Sequence, residues 1–355
     1  MAYSTINKST DHFNTVLYSG TGSSSTKTVG FQPDWVWIKS RSLAYSHDLY
    51  DSVRGTGKRL QSNTYGPEDG SVPSGGVTAF TSNGFTVGGG YNGDNASGET
   101  YASWNWKAGT TSGITTNGST TITPTAYSIN ATAGFSIIKY SGNSGGSGYS
   151  AKIPHGLGAA PKMIIIKNID SSSGGGEHWT VYHSSLSAGH QLYLNLTNGQ
   201  NDEANEYYDT VPDSVNFTVG TSDRTNNTNY DYVAYCFAEI PGYSKVGSYL
   251  GNAASDGPFI YTGFAPQMVI IKSFSNNHWM MRDNKRPGYN MNQYKLFPDR
   301  NVAENTDTSN KMDLLSNGFK CRETNTEQNG TGTNYMWIAF GQPMVGSNNV
   351  TVTAR

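Results

Sequence analysis

The stretch Gly30-Phe31-Gln32-Pro33-Asp34-Trp35-Val36-Trp37-Ile38-Lys39 sets the fold class of this chain. It holds a glycine suited to positive φ, a proline with no N–H to give to a ladder, and a run of aromatic and β-branched side chains. Together these spell a turn, a strand entry and a strand. The same order returns as Gly156-Leu157-Gly158-Ala159-Ala160-Pro161-Lys162-Met163-Ile164-Ile165-Ile166-Lys167. It returns again as Gly263-Phe264-Ala265-Pro266-Gln267-Met268-Val269-Ile270-Ile271-Lys272. The unbroken apolar run Met163–Ile166 fits a strand covered on both faces.

Working outward, three more markers follow in one order each time. A His-centred segment comes first, and the reading assigns His47, His178 and His278 to one shared position. A tight turn with a strand comes next, at Ser82-Asn83-Gly84-Phe85, Val215-Asn216-Phe217 and Ser316-Asn317-Gly318-Phe319. An aromatic strand closes each set, at Tyr101 to Trp106, Tyr232 to Phe237 and Tyr335 to Phe340. In the first of these, alternation puts Ala102, Trp104 and Trp106 on a core face and leaves Tyr101, Ser103 and Asn105 facing water. An opening strand precedes each set, ending at Gly20, Gly142 and Gly251.

The spacing, roughly 100 to 130 residues, is too long for a solenoid repeat and long enough for a core within each copy. The expected fold class is therefore all-β: three tandem β-sandwich domains related by an internal repeat, with jelly-roll-like connections open. The expected boundaries are 1–110 for the first sandwich, 111–132 for a Thr/Ser/Gly-rich linker, 133–243 for the second sandwich and 244–355 for the third.

Composition narrows the function classes. Gly (42 residues) and an aromatic share of 12% suit short strands, tight turns and ring-filled cores in a chain of 355 residues. A net charge of −2 gives no basic face for nucleic acid. No apolar run approaches the length of a membrane helix, so no membrane insertion is expected. The start, Met1-Ala2-Tyr3-Ser4-Thr5-Ile6-Asn7-Lys8, lacks an apolar signal core, so no signal peptide is expected. Cys236 and Cys321 are too few for a disulfide scaffold and read as buried thiols.

Candidate chemistry is thin. Gly142-Asn143-Ser144-Gly145-Gly146 matches the nucleophile-elbow spacing, but no helix follows it. His178 and His183, beside Glu177, fall on opposite faces of a strand and so cannot converge on zinc. The oxygen-rich loops Tyr91 to Asn95 and Asn198 to Glu203 leave calcium open. Tyr207, Tyr208 and Tyr230 are loop aromatics able to stack on sugars. No catalytic, cofactor-binding or metal residue is assigned, no cofactor is expected, the chain is expected not to be an enzyme, and the ligand-binding residues are unknown.

The segments Phe13 to Gly20, Val29 to Lys39 and His47 to Gly55, with the junction Tyr235 to Tyr249 and Asp256 to Phe264, resemble an uncharacterised repeat domain of tailed-phage structural and tail-fibre proteins of the marine phage and cyanophage type. The resemblance covers nearly the whole chain. It implies a virion protein assembled in the host cytoplasm, with other virion proteins as partners and a host surface glycan as ligand. A tail fibre or tip for host attachment is the leading expectation. A capsid decoration or head-fibre protein is the alternative, and a carbohydrate-active enzyme is the weakest reading. Residues Met1 to His12 are expected to dock onto another virion protein. A homotrimer and a monomer with internal pseudo-symmetry both fit.

Overall fold

The computed structural model describes residues 4–71, 74–144, 150–170, 177–207, 209–307 and 311–345. The described chain is all-β. Helical structure is confined to the 3-10 turn Ser9–Asp11 and the single turns Asn92–Asn95 and Ala204–Tyr207.

The first segment contains β1 (Phe13–Ser19), β2 (Ser25–Thr28), β3 (Trp35–Ser40), β4 (His47–Asp51), β5 (Leu60–Gln61), β6 (Val77–Thr81), β7 (Gly84–Val87) and β8 (Thr100–Trp106). Its sheets run β1-β8-β3-β4-β5 and β2-β7-β6. The second contains β9 (Ala126–Asn130), β10 (Phe135–Ser141), β11 (Ala151–Pro154), β12 (Met163–Asn168), β13 (Thr180–His183), β14 (His190–Tyr193), β15 (Asn201–Asp202), β16 (Asn216–Val219) and β17 (Asp231–Phe237). Its sheets run β15-β14-β13-β12-β17-β10-β9 and β11-β16. The third contains β18 (Ser244–Leu250), β19 (Phe259–Tyr261), β20 (Phe264–Ser273), β21 (Met280–Asp283), β22 (Met312–Leu315), β23 (Gly318–Cys321) and β24 (Asn334–Pro343). Its sheets run β18-β24-β20-β21 and β19-β23-β22. All these pairings are antiparallel, and they are nested. The outermost strands pair (β1 with β8, β10 with β17, β18 with β24), and so do the next ones in (β2 with β7, β11 with β16, β19 with β23).

Period-two alternation along the central strands feeds two cores at once. In β3, Val36 and Ile38 enter a cluster with Phe85 and Val87, between the two sheets of the first segment. The alternate residues Trp35 and Trp37 point the other way, into a larger cluster. β12 sends Ile164 and Ile166 inward and Met163 and Ile165 to that same larger cluster. β20 does likewise with Val269 and Ile271 against Met268 and Ile270. The larger cluster thus joins all three segments. It holds Trp35, Trp37, Trp104, Trp106, Trp179 and Trp279, and deleting one such buried ring costs about 3–5 kcal/mol. Near its centre Phe340 meets Trp106 and Phe237, each at 5.7 Å between ring centroids.

This shared core corrects the reading of the aromatic strand. Ser103 and Asn105 do not face water; both are fully buried. Their sheet has a second sheet over one face and the common core over the other. Asn105 Nδ2 donates to the Asn14 carbonyl at 2.9 Å and the Ser103 carbonyl at 3.2 Å. The stretch 111–132, expected as a linker, carries β9, which extends the second segment's main sheet beside β10. Its Ile122 and Ile129 are buried in that segment's inner core.

Two glycine requirements are visible. The marker residues Gly30, Gly156 and Gly263 have φ of 104°, 71° and 88°, which side-chain-bearing residues rarely adopt. Gly20, Gly142 and Gly251 lie where a Cβ would run into the carbonyls of Ala96, Asn227 and Gly330.

The N-terminal residues fold back on the third segment. Ser9 donates from its backbone N–H and its hydroxyl to Gln342 Oε1 at 2.9 and 2.8 Å, and Gln342 Nε2 donates to the Asn7 carbonyl at 2.9 Å. Ile6 sits in the common core. Within the stretch Met1 to His12, expected to dock onto another virion protein, the described residues 4–12 thus make these contacts within the chain.

Candidate functional site

The groups that would carry chemistry on a surface are spent here on contacts between segments, and those contacts recur. The register aligns Leu49, Val181 and Met281 opposite Trp37, Ile165 and Ile270. Two residues further along, the three strands carry Asp51, His183 and Asp283.

At Asp51 and Asp283 a buried ion pair is built from an Asp-x-x-Arg turn. Arg54 Nε donates to Asp51 Oδ2 at 2.6 Å and Arg286 Nε to Asp283 Oδ2 at 2.5 Å, all four side chains inaccessible to solvent. Each arginine also bonds its own β-strand, at the Leu49 carbonyl (3.3 Å) and the Met281 carbonyl (2.9 Å), and a second carboxylate, Glu68 (3.1 Å) or Glu304 (2.8 Å). Burial alone would lower the Arg54 pKa; Asp51, with Glu68 beside it, holds it above the ordinary value. A buried charge pair needs this complete set of partners to offset its desolvation.

Each site is completed from another segment. Tyr235 Oη donates to Asp51 Oδ2 at 2.7 Å, and Trp104 Nε1 donates to Asp283 Oδ2 at 3.2 Å. At the third site His183 Nε2 lies 3.2 Å from the Trp337 carbonyl. The contacts thus link first to second, second to third and third to first.

A backbone contact keeps that sense, and a side-chain contact joins the same neighbours from the opposite side. The backbone N–H of Glu68 donates to the Ile169 carbonyl (2.9 Å), that of Gln200 to Phe274 (2.8 Å) and that of Glu304 to Arg41 (2.8 Å). Trp179 Nε1 donates to the Gln61 carbonyl at 3.0 Å and Trp279 Nε1 to the Tyr193 carbonyl at 2.9 Å. The corresponding side chain of the first segment is His47, opposite Lys39 and against the backbone of Phe297. His47 therefore shares its position with Trp179 and Trp279. His178 and His278 stand one residue earlier, bonded to Asn195 (2.9 Å) and Asp299 (2.5 Å). The expectation of one shared histidine position is corrected by one residue.

The marker lysines Lys39, Lys167 and Lys272 are fully buried. Each Nζ caps backbone carbonyls, those of Ser40, Asn168 and Ser273 at 2.5, 2.6 and 3.0 Å. Burial lowers their pKa to about 8, 7 and 7 respectively. Stacked tyrosine pairs recur in the same way. Tyr18 lies on Tyr101 (5.1 Å), Tyr140 on Tyr232 (5.2 Å) and Tyr249 on Tyr335 (5.1 Å).

The family model described as Domain of unknown function (DUF7483) matches residues 8–343. The chain belongs to the DUF7483 family. No curated protein and no solved structure matches it. The DUF7483 match takes in all three segments and the recurring contacts between them.

The remaining candidates fall as follows. The pattern from Gly142 to Gly146 lies partly outside the described residues. Among the described residues, no group of three or more His, Cys, Asp or Glu is placed to hold a metal ion. Asp94 and Asn95, from the first oxygen-rich loop, are buried. Asp94 Oδ2 accepts from Tyr50 Oη at 2.7 Å, and burial raises its pKa as it does that of Asp48, to about 6 for the latter. Both carboxyls are sealed from solvent, out of a substrate's reach. Tyr207 is buried too, its hydroxyl on the Thr180 carbonyl at 3.2 Å, so it is no sugar platform; Tyr208 lies outside the described residues. Cys236 and Cys321 are free and buried.

Two surface clefts stand out, the first at residues the sequence reading did not name and the second bordered by His183 and Tyr207, which it did. One of about 420 Å³ is lined by Asn284, Gly288, Tyr289, Asn290, Asn292 and Leu314 in the third segment. One of about 200 Å³ in the second segment includes Tyr182, His190, Asp209 and Val211.

Proposed function

We propose that the chain is three copies of one nested β-sandwich, closed head to tail into a ring about a pseudo-threefold axis. We further propose that this ring is a virion structural protein, a tail-fibre or tail-tip component that presents its rim loops to the host surface. The observation that carries the reading is the cyclic sense of the inter-segment contacts. Each kind occurs three times and each links first to second, second to third and third to first. Heterologous contacts either run on into filaments or close into a ring. These close within one chain and reproduce inside it the geometry that three identical subunits would make. The outer two pairings nest as in a jelly roll, while the β3–β4 hairpin departs from that order.

A closed ring leaves no vacant station for a second copy, so a monomer of 38.3 kDa is the expected species. Light scattering on the purified chain tests this, and a trimer mass would overturn it. The threefold shape suits a plug or tip on a threefold partner, as the sequence resemblance to tail-fibre proteins also suggests. Labelling intact particles with antibody to the chain tests the location. Label at the tail end is expected. Label over the head would replace the attachment reading with the decoration reading, and particles without label would remove both.

A further inference from the structure

We propose that the third-segment cleft is a binding site for a neutral sugar residue of a surface glycan; the assignment rests on the attachment reading above and names its site and ligand class. The loop from Asp283 to Leu296 is four residues longer than its counterparts from Asp51 to Leu60 and from His183 to Leu192. In the first segment the counterpart loop lies directly on the neighbouring strand, with Gly57 N–H donating to the Val77 carbonyl at 3.0 Å. In the third segment the Asn292 N–H makes the counterpart bond to the Met312 carbonyl at 2.7 Å, and the amide side chain of Asn290 adds a further one, donating from Nδ2 to the Leu314 carbonyl at 2.8 Å and accepting from Leu314 N–H at 3.0 Å. The longer loop supplies Gly288, Tyr289, Asn290 and Asn292 to the cleft wall, with Leu314 opposite.

The lining defines the ligand. No residue in it is charged, so nothing there would hold a phosphate or a carboxylate. Tyr289 is 71% exposed and Met291, next to it along the loop, 44%. An aromatic ring kept in water at the edge of a cleft presents a flat apolar face, which fits the C–H face of a pyranose. Asn292 is buried, and its Nδ2 donates to the Asp283 carbonyl at 2.8 Å. Its Oδ1 has no hydrogen-bond partner among the described residues, a cost that a ligand hydroxyl would remove. Amides and one aromatic face, without charge, match a neutral polyol better than a lipid, which would leave the amides unpaired, or an anion, which would find no cation. The second-segment cleft contains Asp209 and His190 and does not share this chemistry.

The test is saturation-transfer NMR on the full chain, with neutral trisaccharides of glucose, galactose, mannose and N-acetylglucosamine as probes and sialyllactose as the charged probe. Transfer to at least one neutral probe is expected. Tyr289→Ala should weaken binding about tenfold or more, as loss of an aromatic anchor does. Tyr289→Phe keeps the ring face and should stay within about threefold of the parent, as should Tyr65→Ala, which removes an exposed tyrosine elsewhere. Tyr289 is solvent-exposed, so an unchanged melting temperature will confirm that Tyr289→Ala is folded. Transfer to no neutral probe, transfer to sialyllactose alone, or unchanged binding by Tyr289→Ala would each overturn the proposal. Sugar binding by a chain absent from particles would sink the attachment reading and leave the site standing. Tail location without sugar binding would do the reverse.

Discussion

The contact between the first and second segments and that between the second and third occupy the same place in the fold and solve it with different chemistry. At the first, Asp51 faces the hydroxyl of Tyr235 and is held by Arg54. At the second, His183 faces a backbone carbonyl and no arginine follows. The strand across the interface explains the change. Tyr235, Trp104 and Ile338 are paired opposite Ile165, Trp37 and Ile270, so they are equivalents. Tyr235 and Trp104 each bring a donor that would be stranded in a dry core without an acceptor. Ile338 brings none, so a carboxylate there would have nothing to accept from, and a neutral histidine with a proton to donate suits the Trp337 carbonyl. An ion pair is thus present where the opposite side chain demands it, and one of the three stations is neutral.

The largest effect should come from breaking a charged station. Arg286→Ala leaves Asp283 buried without its cation and Glu304 with Arg41 alone, and should cost about 3–5 kcal/mol in denaturant unfolding. Arg54→Ala should cost a similar amount. A loss under about 1 kcal/mol at either would mean that the stations do not hold the ring.

The neutral station should differ in its response to pH. Burial lowers the His183 pKa to about 4. Between that value and the ordinary 6.5 the unfolded chain binds a proton that the native chain does not. Stability from this group is therefore complete above about pH 6.5 and is lost as pH falls toward 4, at a slope of up to about 1.4 kcal/mol per pH unit. His183→Gln should flatten the drop between pH 6.5 and 4.5, measured by urea midpoints. The other buried histidines will keep part of it, so the readout is the difference from the parent. An identical slope in the variant would show that His183 is charged in the native chain.

Next in size is the hydroxyl across the first charged station. Tyr235→Phe removes a donor 2.7 Å from Asp51 and should cost about 1.5–3 kcal/mol, the range for bonds to charged groups. At the other charged station Trp104 is 3.2 Å from Asp283, so its hydrogen bond is the weaker of the two. Replacing its indole also opens a cavity, which makes Tyr235→Phe the cleaner measurement.

How much of this the sequence disclosed follows from what periodicity can carry. The strands at Trp35, Met163 and Gln267 to Ile271, the positive-φ glycines and the buried cysteines were legible, because each depends on local rules. The shared core was not. Alternation tells which side chains point together, but not that a second layer covers the other face, so Ser103 and Asn105 looked wet. The histidine slip has the same root. His47, His178 and His278 match as letters, whereas the ladder matches His47 with two tryptophans, and only strand pairing fixes register to one residue. The repeated Asp-x-x-Arg of Asp51 to Arg54 and Asp283 to Arg286 was a readable signal that went unread, since its absence at His183 to Leu186 hid it from a search for three-way identity. The cleft at Tyr289 could have been found from the four-residue insertion, had the flanking leucines Leu60, Leu192 and Leu296 been aligned.

The smallest expected effect tests equivalence itself. Tyr18, Tyr140 and Tyr249 each donate a hydroxyl to a backbone carbonyl, that of Asp94, Thr225 and Gln328, at 2.8, 2.7 and 2.6 Å. Each ring lies on the partner tyrosine of its own last strand, so a Phe replacement keeps the stack and deletes only the hydrogen bond. Three independent inventions of a tyrosine at these sites would have no reason to agree in energy. One ancestral position written three times would, because each has a backbone carbonyl as acceptor and a tyrosine as stacking partner, although Tyr140 is fully buried and Tyr18 and Tyr249 are part-buried. Tyr18→Phe, Tyr140→Phe and Tyr249→Phe should therefore each cost about 1 kcal/mol, with values within about a factor of two of one another in parallel urea titrations. A near-zero cost at one site beside 2 kcal/mol at another would mean that the three pairs resemble each other in geometry alone.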